Sequence, residues 1–180
     1  MKLATWNCCR GDYLAKREML VSLAPDVAVV QEARHTKNWP RDDHWFGPNP
    51  RNGLSIFTTN GYSASPQPAS NDAPWSIVPL RINGPVEINL LAVWTRHETG
   101  YVQGLAQALD AYSDFLKERP SVVMGDFNAN AIWDKPRARI DFSRLAARMR
   151  DEFRLDSAYH RHFGESFGSE SRPTHYFRWN

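Results

Sequence analysis

Asp126, Asn128 and Asn130 occupy alternate positions in S-V-V-M-G-D-F-N-A-N at 121–130, where an apolar run stops at a group of polar side chains. Val122, Val123 and Met124 read as a strand covered on both faces, and Gly125 lets the backbone turn without steric cost. A carboxylate and carboxamides then gather at a strand's carboxyl end, where α/β folds commonly hold their ligands. Two more polar residues stand in equivalent places: Asn7 ends a stretch that begins at Lys2, and Glu32 follows V-A-V-V at 27–30. A carboxylate at the tip of a central strand is a ligand candidate. Each residue also has an ordinary reading, with Gly125-Asp126 as turn chemistry and Glu32 as the exposed end of its strand. The coincidence of three strand ends favours a site.

Strands must bring these residues together. Lys2–Asn7 is predicted as a strand, Leu14–Leu23 as a helix closed by Pro25-Asp26, and Val27–Val30 as a central strand, a βαβ-type opening. Ala33–Asn52 lacks a period and reads as loop. Gly53–Thr58 suits a strand, and Asn60-Gly61 is a hairpin-type turn into Tyr62–Ala64. After a Pro- and Ser-rich connection at 65–74, Ser76–Ile82 and Glu87–Thr95 form a second expected hairpin through Asn83-Gly84-Pro85. Tyr101–Leu116 carries Val102, Leu105, Ala106, Leu109, Tyr112 and Leu116 at helical spacing and is predicted as one helix. Phe142–Phe153 is a shorter amphipathic helix, Leu155–Tyr159 a short strand or turn, His160–Arg172 a polar loop, and Thr174–Trp179 a strand.

With 180 residues, the chain is expected to form a single domain over 1–180. Its 42% hydrophobic content, seven Trp and nine Phe call for a large packed interior or a stacking surface and exclude disorder. A net charge of +2 permits an anionic ligand without demanding one. Cys8 and Cys9 are adjacent and have no distant partner, which fits a reducing compartment. The N-terminal apolar run is too short for a secretory signal and no stretch approaches the length of a membrane span, so a soluble, cytoplasmic protein is expected.

Four segments carry a resemblance: A-T-W-N at 4–7, V-V-Q-E at 29–32, N-G-L-S-I-F at 52–57 and V-V-M-G-D-F-N-A-N at 122–130. In order and spacing they resemble the successive motifs of the endonuclease/exonuclease/phosphatase superfamily, the DNase I-like phosphoesterases, over the whole chain. The resemblance implies an α/β (α+β) fold, a four-layer sandwich of two mixed β-sheets flanked by helices. It implies Mg²⁺, with Mn²⁺ as an alternative ion, because a hard cation that keeps several waters needs only one or two protein oxygens. Glu32 is then the principal metal ligand, with Asn7 positioning the ion or the phosphate. Asp126 directs the attacking water, and Asn128 donates to the phosphate as charge builds in the transition state. Tyr101 stands near a position where many members carry a site Tyr or Arg; the alternative is a Tyr that fixes the helix start with its hydroxyl in water.

Two departures accompany the resemblance. Trp94 and Thr95 stand where many members have His or Asn, with His97 close by, and the usual I-D-Y and S-D-H motifs are absent. The expectation is a domain incomplete at its C-terminus, self-associating through an exposed sheet edge. The implied function is a nuclease acting on a phosphoester substrate, most naturally nucleic acid, with a metal- or nucleic-acid-binding remnant as the alternative. A zinc protein built on His160, His162 and His175 is a third reading, less favoured than a solvated surface. Trp39, Trp45, Trp75 and Trp133 could stack bases or pack long loops, and the arginines at 137, 139, 144, 148 and 150 could track phosphates or form a wet helix face.

Overall fold

The structure, a computed structural model, describes residues 1–172. The strand expected at Thr174–Trp179, and His175 within it, lie outside the described residues. The chain divides into two compact units, Met1–Asn128 and Ala129–Asn180.

The first unit holds two mixed four-stranded sheets. β1 (Leu3–Asn7), β2 (Val27–Ala33), β3 (His44–Phe46) and β4 (Gly53–Thr58) form one, in the order β1-β2-β4-β3, with β1 and β2 parallel and the other pairs antiparallel. β5 (Ser63–Pro66), β6 (Ile77–Asn83), β7 (Ile88–Trp94) and β8 (Ser121–Asp126) form the other in sequence order, with only β7 and β8 parallel.

The period-2 alternation of strand side chains explains why Val27–Val30 of β2 is apolar at every position. Val27 and Val29 of β2 join Leu54 and Ile56 of β4 in a core shared with Leu80, Leu90, Ala92 and Trp94 of the second sheet. Ala28 and Val30 point the other way, packing with Phe57 and with Tyr13 and Leu20 of helix α1 (Tyr13–Ser22). Asp12 caps that helix, its Oδ1 accepting from Leu14 N at 3.0 Å. Helices α2 (Tyr101–Ala111) and α3 (Ser113–Glu118) bury Leu105, Leu109 and Leu116, and α3 packs on β7, where Asn89 Nδ2 donates to Phe115 O at 2.5 Å.

Several local expectations change. Asn60-Gly61 does make a tight turn, with φ of 54° and 79° and Tyr62 N donating to Thr59 O at 3.0 Å. It does not make a hairpin, because β2 and β3 already occupy both edges of β4, and the chain crosses to the other sheet as β5. The region read as loop at 33–52 contains β3, a three-residue strand too short to show a period. The single helix expected at Tyr101–Leu116 breaks at Tyr112, where φ is −111° and the buried side chain's hydroxyl accepts from Ser70 N at 3.1 Å.

In the second unit, α4 (Phe142–Phe153) matches its expected bounds. Asp134 anchors its start by accepting from Phe142 N at 2.8 Å and Ser143 N at 2.9 Å, and Asp141 accepts from Arg144 N at 2.8 Å. The strand or turn expected at Leu155–Tyr159 and the loop beginning at His160 are replaced by α5 (Ala158–Phe163), with Ser157 as its N-cap and Gly164 closing it at φ 68°. A serine-to-glycine frame of this kind is a helix signature that outweighs the polar composition between.

Candidate active site

β1 and β8 belong to different sheets yet run beside each other, which brings Asn7 to Asp126. Asn7 Nδ2 donates to Asp126 Oδ2 at 2.8 Å and to Glu32 Oε1 at 3.2 Å. Its Oδ1 accepts from Cys9 N at 2.9 Å. The amide is thereby oriented, with both N–H bonds toward carboxylates and its oxygen toward a backbone donor.

Glu32 sits at a register shift between β2 and β4, spanning Val30 to Ala33, and takes a positive φ of 57°. A bulge re-aims a side chain. A left-handed conformation at a non-glycine residue costs about 1–3 kcal/mol and persists where its surroundings over-determine it. Cys9, Arg10 and Asn128 share this conformation, at φ 49°, 59° and 45°. Four such residues on the segments around two carboxylates mark a backbone shaped to present polar groups. The Cys8 thiol is pushed up by burial, so it remains neutral; Cys9 is exposed.

Gly125 explains how β8 delivers Asp126. Its φ is 152°, and a Cβ there would lie 1.8 Å from Val93 O, so only glycine lets β8 lie this close to β7. Asp126 pairs with Trp94 in the β7–β8 register. Its Oδ1 accepts from Asn128 N at 3.0 Å, while Asn128 Nδ2 donates to Thr95 O at 3.2 Å. Thr95, which departs from the common His or Asn, is a positioning residue: its N–H donates to Asp126 O at 3.0 Å, and its hydroxyl donates to Phe127 O.

The structure thus joins Asn7, Glu32, Asp126 and Asn128 in one network. It does not join Tyr101, which opens α2 at 37% exposure with its ring edge-on to His97 at 6.2 Å; among the described residues no hydrogen bond or ring contact links it to the four. Asn130 belongs to the second unit, where it caps the turn at Ala131–Trp133 and donates to Glu170 Oε1 at 3.1 Å. Sequence reading missed Arg10, whose Nε lies 3.8 Å from Glu32 Oε2. Its only signal is a cation in a short loop after a strand that ends in Asn7.

The donor set fits a hard divalent cation. Glu32 and Asp126 share one neutral bridging amide, and the ion pair that Glu32 makes among the described residues is with Arg10, whose side chain is 71% exposed. Glu32 would hold such an ion, in keeping with the one or two protein oxygens that Mg²⁺ accepts; Asn7, expected as a second ligand, here turns its nitrogen to Glu32 and its oxygen to Cys9 N, and so orients the carboxylate. Among the described residues no group of three His, Cys, Asp or Glu could hold a metal. His160 is instead engaged by Ser157 Oγ at 2.7 Å and Glu170 Oε1 at 2.9 Å.

A model of the Endonuclease/Exonuclease/phosphatase family matches residues 4–180, and the chain belongs to that family. No curated protein matches the sequence. Similar folds occur in the endonuclease domain of TRAS1, a telomere-specific non-LTR retrotransposon (TM-score 0.56, 14% identity, covering 73% of this chain and 61% of that one). A functionally unknown conserved protein from Enterococcus faecalis V583 gives a TM-score of 0.53 at 19% identity, covering 73% of this chain and 68% of that one. An AP endonuclease from Archaeoglobus fulgidus gives 0.50 at 15% identity, covering 85% and 64%. The fold is DNase I-like, and the chain matches about 61–68% of the length of these three.

Proposed function

We propose that the protein is a metal-dependent phosphoesterase that hydrolyses phosphodiester bonds of nucleic acid by attack of water. The observation that carries this reading is the Asn7 amide bridging Glu32 and Asp126 at 3.2 and 2.8 Å. When bound, the divalent ion, Mg²⁺ or Mn²⁺, would offset charge on the phosphoryl oxygens and the leaving group.

The chain's own groups account for the rest. Asp126 has each carboxylate oxygen fixed by one hydrogen bond, and each retains a further acceptor site. It can therefore orient a water and take its proton while held in one rotamer. Asn128 uses one N–H on Thr95 O; the second, with no partner among the described residues, can donate to a phosphoryl oxygen as charge develops. Asn7 keeps the two carboxylates in fixed relation, so Glu32 binds while Asp126 acts as base. Tyr101 is a further candidate for contact with substrate from the start of α2.

The free Cys8 and Cys9 support a cytoplasmic setting, and among the described residues no helix is long and apolar enough to cross a membrane. The experiment is hydrolysis of plasmid DNA, single-stranded DNA and RNA, and a small phosphodiester, with and without Mg²⁺. Turnover that requires the ion and falls in Glu32→Ala supports the reading. Ion or nucleic-acid binding with no turnover on any substrate replaces it with a binding module of the same fold.

A further inference from the structure

A cavity of about 260 Å³, lined by Pro74, Trp75, Ser76, Arg96 and Thr99 among others, is not used by the hydrolytic network. Arg96 lies over two rings, its Cζ 4.6 Å from the centre of Trp94 and 5.3 Å from that of Trp75. The two rings meet edge-on at 5.9 Å. Trp94 is buried in the inter-sheet core, whereas Trp75 is 39% exposed. Ser76 is 1% exposed and its Oγ has no hydrogen-bond partner among the described residues. That oxygen is itself shut off from solvent, so the groups the cavity offers are those of Trp75 and Arg96.

The cavity stands on the rim that carries Asp126. Trp94 pairs with Asp126 in the sheet register, Thr95 binds the backbone of Asp126, and Arg96 is the next residue. Its chemistry selects among ligands. Arg96 Nη2 is already 2.5 Å from Glu98 Oε1, so its charge is largely taken and a second phosphate gains little there. An exposed indole and a guanidinium plane instead suit a planar ring, and nucleobases stack on such groups. The volume lies just below the roughly 300–1,000 Å³ of pockets for drug-sized ligands, enough for one base.

We propose that this cavity is a nucleobase subsite, which holds an unpaired base beside the phosphate cleaved at the Asn7, Glu32 and Asp126 site. Its place in the reaction rests on the phosphoesterase reading; base binding itself does not. Fluorescence anisotropy of short end-labelled DNA and RNA single strands tests it on the full chain, against strands of equal length lacking bases, with free nucleoside and inorganic phosphate as competitors. Base-bearing strands bind tighter than abasic ones by about 5- to 100-fold, the range expected for stacking of one base. Trp75→Ala abolishes that contrast without changing abasic binding, Trp75→Phe retains most of it, and Arg96→Ala, which takes the cation from both rings, reduces it. Nucleoside competes and phosphate does not; the DNA and RNA arms identify the source of the base. Equal affinity for base-bearing and abasic strands overturns the proposal, as does an undiminished contrast in Trp75→Ala and Arg96→Ala. A base contrast that persists in a chain with no hydrolytic activity keeps the subsite and removes the phosphoesterase reading.

Discussion

Asn7 and Asp126 are 119 residues apart in sequence and 2.8 Å apart in space, joined by a hydrogen bond from Nδ2 to Oδ2 between strands of different sheets. That bond is where the two sheets meet chemically. The same nitrogen also reaches Glu32, so one neutral side chain keeps two like charges in register.

Replacing this amide separates its role as donor from its role as spacer. Asn7→Ala removes the donor and is expected to lower kcat/KM by about 10²-fold, the scale for losing one positioned hydrogen bond at a reacting site. Asn7→Asp keeps the size of the side chain but replaces the donor by a third carboxylate, and is expected to lower kcat/KM at least as far as Asn7→Ala. Activity of Asn7→Asp equal to that of the unsubstituted protein contradicts this assignment.

Gly125→Ala tests the close approach of β8 to β7. The added methyl would meet Val93 O at 1.8 Å, backbone against backbone, and neither strand can yield without breaking the ladder. The expected loss of stability is about 3 kcal/mol or more, in the range of strained backbone and overpacked cores, read from urea unfolding. A loss below about 1 kcal/mol, the ordinary effect of a point mutation, runs against this packing.

The segment between β2 and β4 is held by a buried ion pair. Arg17 grips Asp43 through Nε at 2.6 Å and Nη2 at 2.8 Å, which holds the guanidinium above its usual range, and Tyr13 OH adds a bond to Asp43 at 2.8 Å. Asp43→Ala leaves Arg17 without its carboxylate and Tyr13 with only Ser55 Oγ, 2.7 Å away, and is expected to cost about 3–5 kcal/mol. Tyr13→Phe costs about 1 kcal/mol. Equal effects in urea unfolding would show that the charge is not what anchors the segment.

Acid sensitivity follows from Glu170 in the second unit. Burial pushes its carboxyl up, but this is outweighed by hydrogen bonds from Gly168 N, His160 and Asn130, so the folded-state pKa lies below the ordinary 4.5. A depressed carboxyl contributes stability that is present above its unfolded pKa and lost as pH falls through the folded one. Glu170→Gln is expected to be less stable than the unsubstituted protein at pH 7 and to approach it below pH 4 in thermal melts. A difference independent of pH contradicts the assignment.

Much of the candidate site was legible because its residues end strands whose apolar bodies declare themselves. V-A-V-V before Gln31-Glu32 marks a strand buried on both faces, and the expected bounds of Gly53–Thr58 are those observed. V-V-M before Gly125-Asp126 marks a strand but not full cover: β8 stands at the edge of its sheet, with Val122 and Val123 only part-buried. What the sequence concealed is non-local. The bulge that turns Glu32 toward Asn7 depends on how β2 pairs with β4, and nothing in V-V-Q-E announces a positive φ. Asn60-Gly61 encodes a tight turn but not the strand that follows, since the edge it would fill is taken by β3. Thr95 read as a departure from the usual His or Asn at a strand end, yet its backbone and hydroxyl hold Asp126 to Asn128 in place. Trp75 and Trp94 are brought together by the hairpin the sequence announces, but nothing in the sequence places Arg96 over both rings.

The most direct test is the initial rate of phosphodiester hydrolysis in Mg²⁺ for the unsubstituted protein, Glu32→Ala and Asp126→Ala, each confirmed as folded. The account predicts ion-dependent turnover, a loss of at least about 10²-fold in both variants, and partial rescue of Glu32→Ala alone by raised Mg²⁺. Turnover that survives both substitutions, or that does not require the ion, would contradict it.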